Sequence, residues 1–144
     1  MNITAVFFDM GGTLEDVRYD RALRRAAMPG ILAVLRRAGI ILPADLDAIL
    51  DTIILRNTEY KAWSEEHEVE LPPICIWADW NLCDFGISRN VLEPIAEELS
   101  YLWETTFFSR ILRSDAQPTL EALDKLGYRL GVISNTSSRT QVFR

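Results

Sequence analysis

The chain opens on an apolar run, Ile3-Thr4-Ala5-Val6-Phe7-Phe8, that stops at Asp9. Branched and aromatic residues without polar alternation predict a strand buried on both faces. Met10-Gly11-Gly12-Thr13 follows as a turn, because paired glycines reach backbone angles closed to other residues. From Tyr19 to Ala38 the apolar positions recur at helical spacing. Pro29-Gly30 interrupts them and predicts a kink or two helices, with Gly39 as the C-terminal stop. Asp45 is placed to cap a helix whose stripe is Leu46, Ile49, Leu50 and Ile53, continuing to about Trp63.

Residues 67–77, with an acidic start and a double proline, predict a loop, and residues 78–88 a short helix and a turn. Asn90 and Glu93 form a capping pair for a helix through Trp103, with Leu92, Ile95, Leu99 and Leu102 on one face and Pro94 in the first turn. The last segment predicts a helix from about Pro118 to Leu126, a Gly127 stop and a strand from Tyr128 to Ile133. A helix handed by a short loop to an apolar strand is the unit of a parallel sheet. The expected order is therefore strand, long helical insertion, helix and strand, an α/β chain with no internal repeat and no low-complexity segment.

Composition narrows the function classes. Of 144 residues 49% are apolar and 25% charged, the make-up of a soluble globular chain of one domain, or one and a part. A net charge of −6 argues against nonspecific nucleic-acid binding, since phosphates attract basic surfaces. No apolar run approaches the length of a membrane span. No basic segment leads an apolar one at the start, so the expectation is a cytoplasmic protein without a membrane partner. Cys75 and Cys83 then read as buried thiols rather than a disulfide. His67, the single histidine, reads as an exposed loop residue and leaves little support for a Ser-His-Asp triad or a histidine-rich metal site.

The chemistry lies where the two strands end. An acid at the carboxyl end of a parallel strand stands where α/β proteins bind ligands. Glycines beside it let backbone N–H groups approach an anion such as phosphate, and Thr13 adds a hydroxyl. The second strand ends on Ser134 and Asn135, again small polar donors. If the strands are neighbours, Asp9, Thr13, Ser134 and Asn135 converge, and a hard cation such as Mg²⁺ could screen a bound anion from the carboxylate. Asp9 could then attack phosphorus as a covalent nucleophile.

The segments Val6–Asp16 and Pro118–Ser138 resemble the first half of the haloacid dehalogenase superfamily, whose first motif is Asp-x-Asp-Gly-Thr-Leu. Asp9, Gly12, Thr13 and Leu14 match it, and Asp16 falls on a frequent later acid. The resemblance implies a partial Rossmann-like parallel sheet from residues 1–16 and 114–144, with a helical cap from 17–113. It implies a Mg²⁺-dependent phosphatase acting on a small phosphorylated molecule. Asp9 would be nucleophile and metal ligand, and the main-chain carbonyl of Gly11 a second ligand. Gly12, Thr13, Ser134 and Asn135 would hold the phosphoryl group.

Two departures shape the expectation. Gly11 stands where the family's phosphatases carry an aspartate that protonates the leaving group and activates water, worth about 10²–10⁴-fold in rate. Dehalogenases and phosphonoacetaldehyde hydrolases of the superfamily lack that acid, so these activities, or a non-catalytic binding or regulatory role, are alternatives. The family's third-motif lysine and fourth-motif acidic pair have no counterpart. Lys61 lies in the insertion and Lys125 on the helix before the second strand. The resemblance also implies more strands than the two present, so the chain is expected to be a fragment or to take strands from a second chain, and to be a poor enzyme alone. In the insertion, Arg18, Arg21, Arg24 and Arg25 read as a solvated helix face. Trp63, Trp77, Trp80 and Trp103 read as core, and Lys61 as a remote candidate for Schiff-base chemistry of the phosphonoacetaldehyde kind.

Overall fold

The computed structural model describes residues 3–43 and 45–134. The described residues divide into two compact units: those up to Arg18 together with residues 109–134, and Tyr19–Phe108.

The second unit is helical. Helix α1 (Arg21–Arg37) starts where the Asp20 carboxylate accepts the Leu23 N–H at 2.8 Å. It runs through Pro29 without the expected break. The stripe Met28, Ile31, Val34 and Leu35 is buried on both sides of the proline, while Pro29 itself is exposed. Continuous burial outweighs one missing N–H, and the carbonyl left over one turn earlier lies on the wet side. Helix α2 (Leu46–His67) is capped as expected by Asp45, whose carboxylate accepts the Asp47 and Ala48 N–H groups at 3.1 Å each. It extends past Trp63, so His67 closes a helix rather than lying in a loop. Its Nδ1 lies 2.8 Å from the Trp63 carbonyl and its ring stacks on the indole at 4.7 Å.

The expected loop at 67–77 is partly helical as well. Helix α3 (Pro73–Cys75) widens into a π-helical turn, Ile76–Asn81. That turn delivers Trp77 to the interior, where its indole N–H donates to Ser100 Oγ at 2.9 Å. A 3₁₀ turn (Cys83–Phe85), helix α4 (Arg89–Leu92), a second 3₁₀ turn (Glu93–Ile95) and helix α5 (Ala96–Thr106) complete the unit. The cap falls at Ser88, not Asn90, and the segment is broken at Pro94 rather than started by it. Proline has no N–H for the Asn90 carbonyl, so the helix tightens there and restarts.

Met28, Ile31, Leu50, Ile53, Trp77, Leu92, Leu99 and Phe107 form one buried cluster with Trp103. Two of the four tryptophans, Trp77 and Trp103, are thus core; Trp63 and Trp80 are half-buried and 5.8 Å apart. The cysteines depart from expectation: both are free, Cys83 exposed and Cys75 half-buried. Each sits beside a surface ion pair. Arg89 donates to Cys75 Sγ at 3.0 Å while bound to Asp79, and Asp84, next to Cys83, is held by Arg56 at 2.7 Å.

The first unit carries the strands. β1 (Ala5–Phe8) and β4 (Arg129–Val132) pair in parallel, Ala5 opposite Arg129 through Phe8 opposite Val132. Helix α6 (Ala116–Lys125) leads into β4, as a strand in a parallel sheet requires of its connection. β2 (Glu15–Arg18) and β3 (Ser109–Leu112) form an antiparallel ribbon. Among the described residues of this unit only Ala116 is fully buried, whereas Phe7, Ile111, Leu112, Leu130, Val132 and Ile133 are exposed. The architecture is mixed α/β, with a two-stranded parallel sheet and a larger helical unit. No helix among the described residues is long and apolar enough to cross a membrane.

Candidate functional site

β1 ends at Phe8 because the chain turns at once. The Met10 carbonyl accepts the N–H groups of Leu14 at 2.9 Å and Glu15 at 3.1 Å, and the Gly12 N–H donates to the Glu15 carbonyl at 2.8 Å. This closed loop holds Asp9 at the carboxyl end of the strand, exposed, with Oδ1 accepting the Met10 N–H at 2.8 Å. Gly12 sits at φ +79°, a conformation that disfavours any side chain. Gly11 has no positive φ, and a Cβ built there meets only Val17 Cγ2, at 4.0 Å. Glycine at position 11 is thus not imposed by the backbone.

The strand register brings the two ends together. One step beyond Phe8 opposite Val132, Asp9 stands across from Ile133, whose N–H donates to the Phe8 carbonyl at 2.9 Å. Half-buried Ser134 is the next residue. Adjacent strands lie about 4.8 Å apart, so Ser134 and the Asp9 loop share one edge of the sheet. Exposed Thr13 belongs to the same loop. Asn135 lies outside the described residues.

The free donors differ from those expected. The Gly12 N–H is spent on Glu15, so Gly12 shapes the loop. Among the described residues no group takes up the N–H of Gly11 or Thr13. These two amides, with the Thr13 and Ser134 hydroxyls, are the donors available to an anion. The Gly11 carbonyl receives none of the loop's hydrogen bonds and, with the Asp9 carboxylate, offers two oxygens of the kind Mg²⁺ takes. No cluster of three or more acidic, histidine or cysteine side chains able to hold a metal occurs among the described residues. The Asp9 carboxylate and the Gly11 carbonyl are the oxygens of the loop that could contribute to holding a hard cation.

Sequence reasoning missed what braces the loop. The Arg113 N–H donates to the Leu14 carbonyl at 2.9 Å, and its guanidinium reaches Asp16 at 3.2 Å. Glu15 is ion-paired with Arg110 across the ribbon, both side chains largely buried. Asp16 is thereby part of the brace, and a free ligand role is left to Asp9. Lys61 is also occupied: its Nζ lies 3.4 Å from Glu70 and 5.3 Å from the Tyr60 ring.

Of the four arginines read as one solvated helix face, Arg18 ends β2 in the strand unit, and Arg21, Arg24 and Arg25 on α1 are not alike. Arg21 is bound by Asp47 and Asp51, and Arg25 by Asp47, at 2.8–3.0 Å. Arg24 instead lies over the Tyr19 ring at 4.1 Å, with Phe108 at 5.4 Å and Trp103 at 5.9 Å. Its Nε is buried without a hydrogen-bond partner among the described residues, and burial lowers its pKa. A buried donor left unpaired costs about 1–3 kcal/mol.

No protein-family model, curated protein or solved structure matches this chain.

Proposed function

We propose that the chain is a hydrolase of the haloacid dehalogenase type, in which Asp9 attacks the phosphorus of a small phosphate monoester. The observation that carries this reading is the parallel register of β1 on β4, with Asp9 and Ser134 at one sheet edge. An Asp9 carboxylate oxygen bonds to phosphorus as the bond from phosphorus to the alcohol oxygen breaks, that oxygen leaving with the electron pair. Water then cleaves the aspartyl-phosphate, releasing inorganic phosphate and restoring the carboxylate. The amides of Gly11 and Thr13 and the hydroxyls of Thr13 and Ser134 would take the charge on the phosphoryl oxygens. Mg²⁺, held by Asp9 and the Gly11 carbonyl, would screen that charge. The test is hydrolysis of an aryl phosphate in the presence of Mg²⁺. Turnover that survives Asp9→Asn sinks the nucleophile assignment.

A second reading rests on Gly11. Since neither backbone nor space demands glycine there, its lack of a carboxylate favours chemistry that needs no second acid. Dehalogenation and carbon–phosphorus hydrolysis are of that kind, as is a non-catalytic binding role. Halide released from a 2-haloacid without added Mg²⁺ would select dehalogenation. Phosphatase activity that appears only in Gly11→Asp would select a natural role other than phosphatase.

The exposed apolar residues of the small unit support a further part of the proposal, that a second chain completes its sheet. Sedimentation that shows only monomer at working concentration would count against it. Two free cysteines fit the reducing cytoplasm expected from the sequence.

A further inference from the structure

We propose that Arg24, with Tyr19, Trp103 and Phe108 around it, forms an anion-binding site of the helical unit, selective for a small carboxylate or phosphate. Arg21, Arg25, Arg37, Arg56 and Arg89 are each held by carboxylates at 2.7–3.0 Å. Arg24 stands in the same acidic protein, one helical turn from Asp20, yet takes no carboxylate among the described residues. Asp20 spends its side chain on the Leu23 N–H, and Asp47 is engaged by Arg21 and Arg25. Aromatic faces neutralise a guanidinium through its charge and leave its in-plane donors unused.

Only Nε is buried without a partner. Among the described residues neither Nη group makes a hydrogen bond or an ion pair, and neither is buried without a partner. Tyr19 and Phe108 meet edge to face at 5.6 Å, and Phe108 meets Trp103 edge to face at 6.4 Å. These rings fix the guanidinium plane and shed water from one side of it. A planar fork with fixed orientation and reduced hydration is the arrangement that binds a two-oxygen anion well. The residues of the site lie within Tyr19–Phe108, and the site does not depend on any reaction at Asp9.

The experiment is a titration of the full chain at constant ionic strength, read on the Arg24 Nε–H resonance by ¹H–¹⁵N NMR. Inorganic phosphate, malonate and chloride are the three probes. A saturable shift with a low-millimolar midpoint for phosphate, malonate or both, absent with chloride, is the expected result, and the responding arm identifies the oxyanion. A drift equal for all three salts, or no response, overturns the proposal, because Arg24 is then only packed against its rings. Arg24→Met keeps the apolar stem and removes the donors. The responding anion should raise the melting temperature of the natural protein more than that of this variant, and equal rises would likewise overturn the site. Should the variant not fold, the resonance of the unsubstituted chain decides alone.

Discussion

Tyr60 offers the sharpest test of the helical unit's interior. Its side chain is fully buried; its hydroxyl donates to Glu70 Oε1 at 2.5 Å and accepts the Leu71 N–H at 3.1 Å. Burial, and then the carboxylate beside it, push its pKa from 10.0 up to about 12. Below pH 10 the residue is protonated in both folded and unfolded chains, and its contribution to stability is complete. Between about pH 10 and pH 12 the unfolded chain loses the proton first, so unfolding becomes easier as pH rises. Two pH units correspond to about 2.7 kcal/mol. Glu70 keeps 28% of its side chain in water, and the screening it brings reduces the expected loss to about 2 kcal/mol.

Tyr60→Phe removes the titration and the hydrogen bonds together. At neutral pH it should cost about 1.5–3 kcal/mol, since the hydroxyl serves a carboxylate and a backbone N–H. The assay is urea unfolding followed by tryptophan fluorescence, which reports the helical unit because Trp63, Trp77, Trp80 and Trp103 all lie in it. The natural protein should lose about 2 kcal/mol more than the variant over the alkaline interval. Parallel curves from pH 10 to 12 would refute the reasoning.

Three further outcomes follow from single contacts. Ser100→Ala strips the buried Trp77 indole N–H of its acceptor and should destabilise the helical unit by about 1–3 kcal/mol in the same urea assay. Asp20→Ala removes the α1 cap and should cost about 1 kcal/mol, with Asp20→Asn restoring most of it on thermal melting. In the loop, Gly12→Ala should cost about 1–2 kcal/mol for its left-handed backbone. Gly11→Ala should cost no more than a few tenths of a kcal/mol, having neither a positive φ nor a close neighbour. Equal costs at the two positions, measured by chemical denaturation, would contradict the loop geometry.

Much of the fold was legible because its long elements repeat. β1, α1, α2 and β4 each follow from an apolar run or stripe, and the parallel pairing of β1 and β4 from the helix that precedes the second strand. The failures have local causes. The β2–β3 ribbon is built from Glu-Asp-Val-Arg and Ser-Arg-Ile-Leu, too short to show alternation and joined by Glu15–Arg110 across most of the chain. Pro29 suggested a break, but the buried stripe either side of it carried the helix on. The π-helical turn after Pro73 has no sequence period to betray it. At the site, Asp9 and Ser134 were visible as polar residues ending apolar strands. Arg24 was not, because the rings that single it out, Tyr19 and Phe108, come from opposite ends of the insertion.

The proposed nucleophile is Asp9, and Gly11 makes its role directly measurable. An aryl oxide leaves without a proton donor, so the first step survives the missing acid. On the proposed mechanism, hydrolysis of the aspartyl-phosphate, which that acid would assist by about 10²–10⁴-fold, should be slow. The intermediate should therefore accumulate. Acid quenching after incubation with ³²P-labelled aryl phosphate and Mg²⁺, followed by peptide mapping, should place near-stoichiometric label on the peptide carrying Asp9 and none in Asp9→Asn. A chain with no label, or with label that persists in Asp9→Asn, would contradict the account.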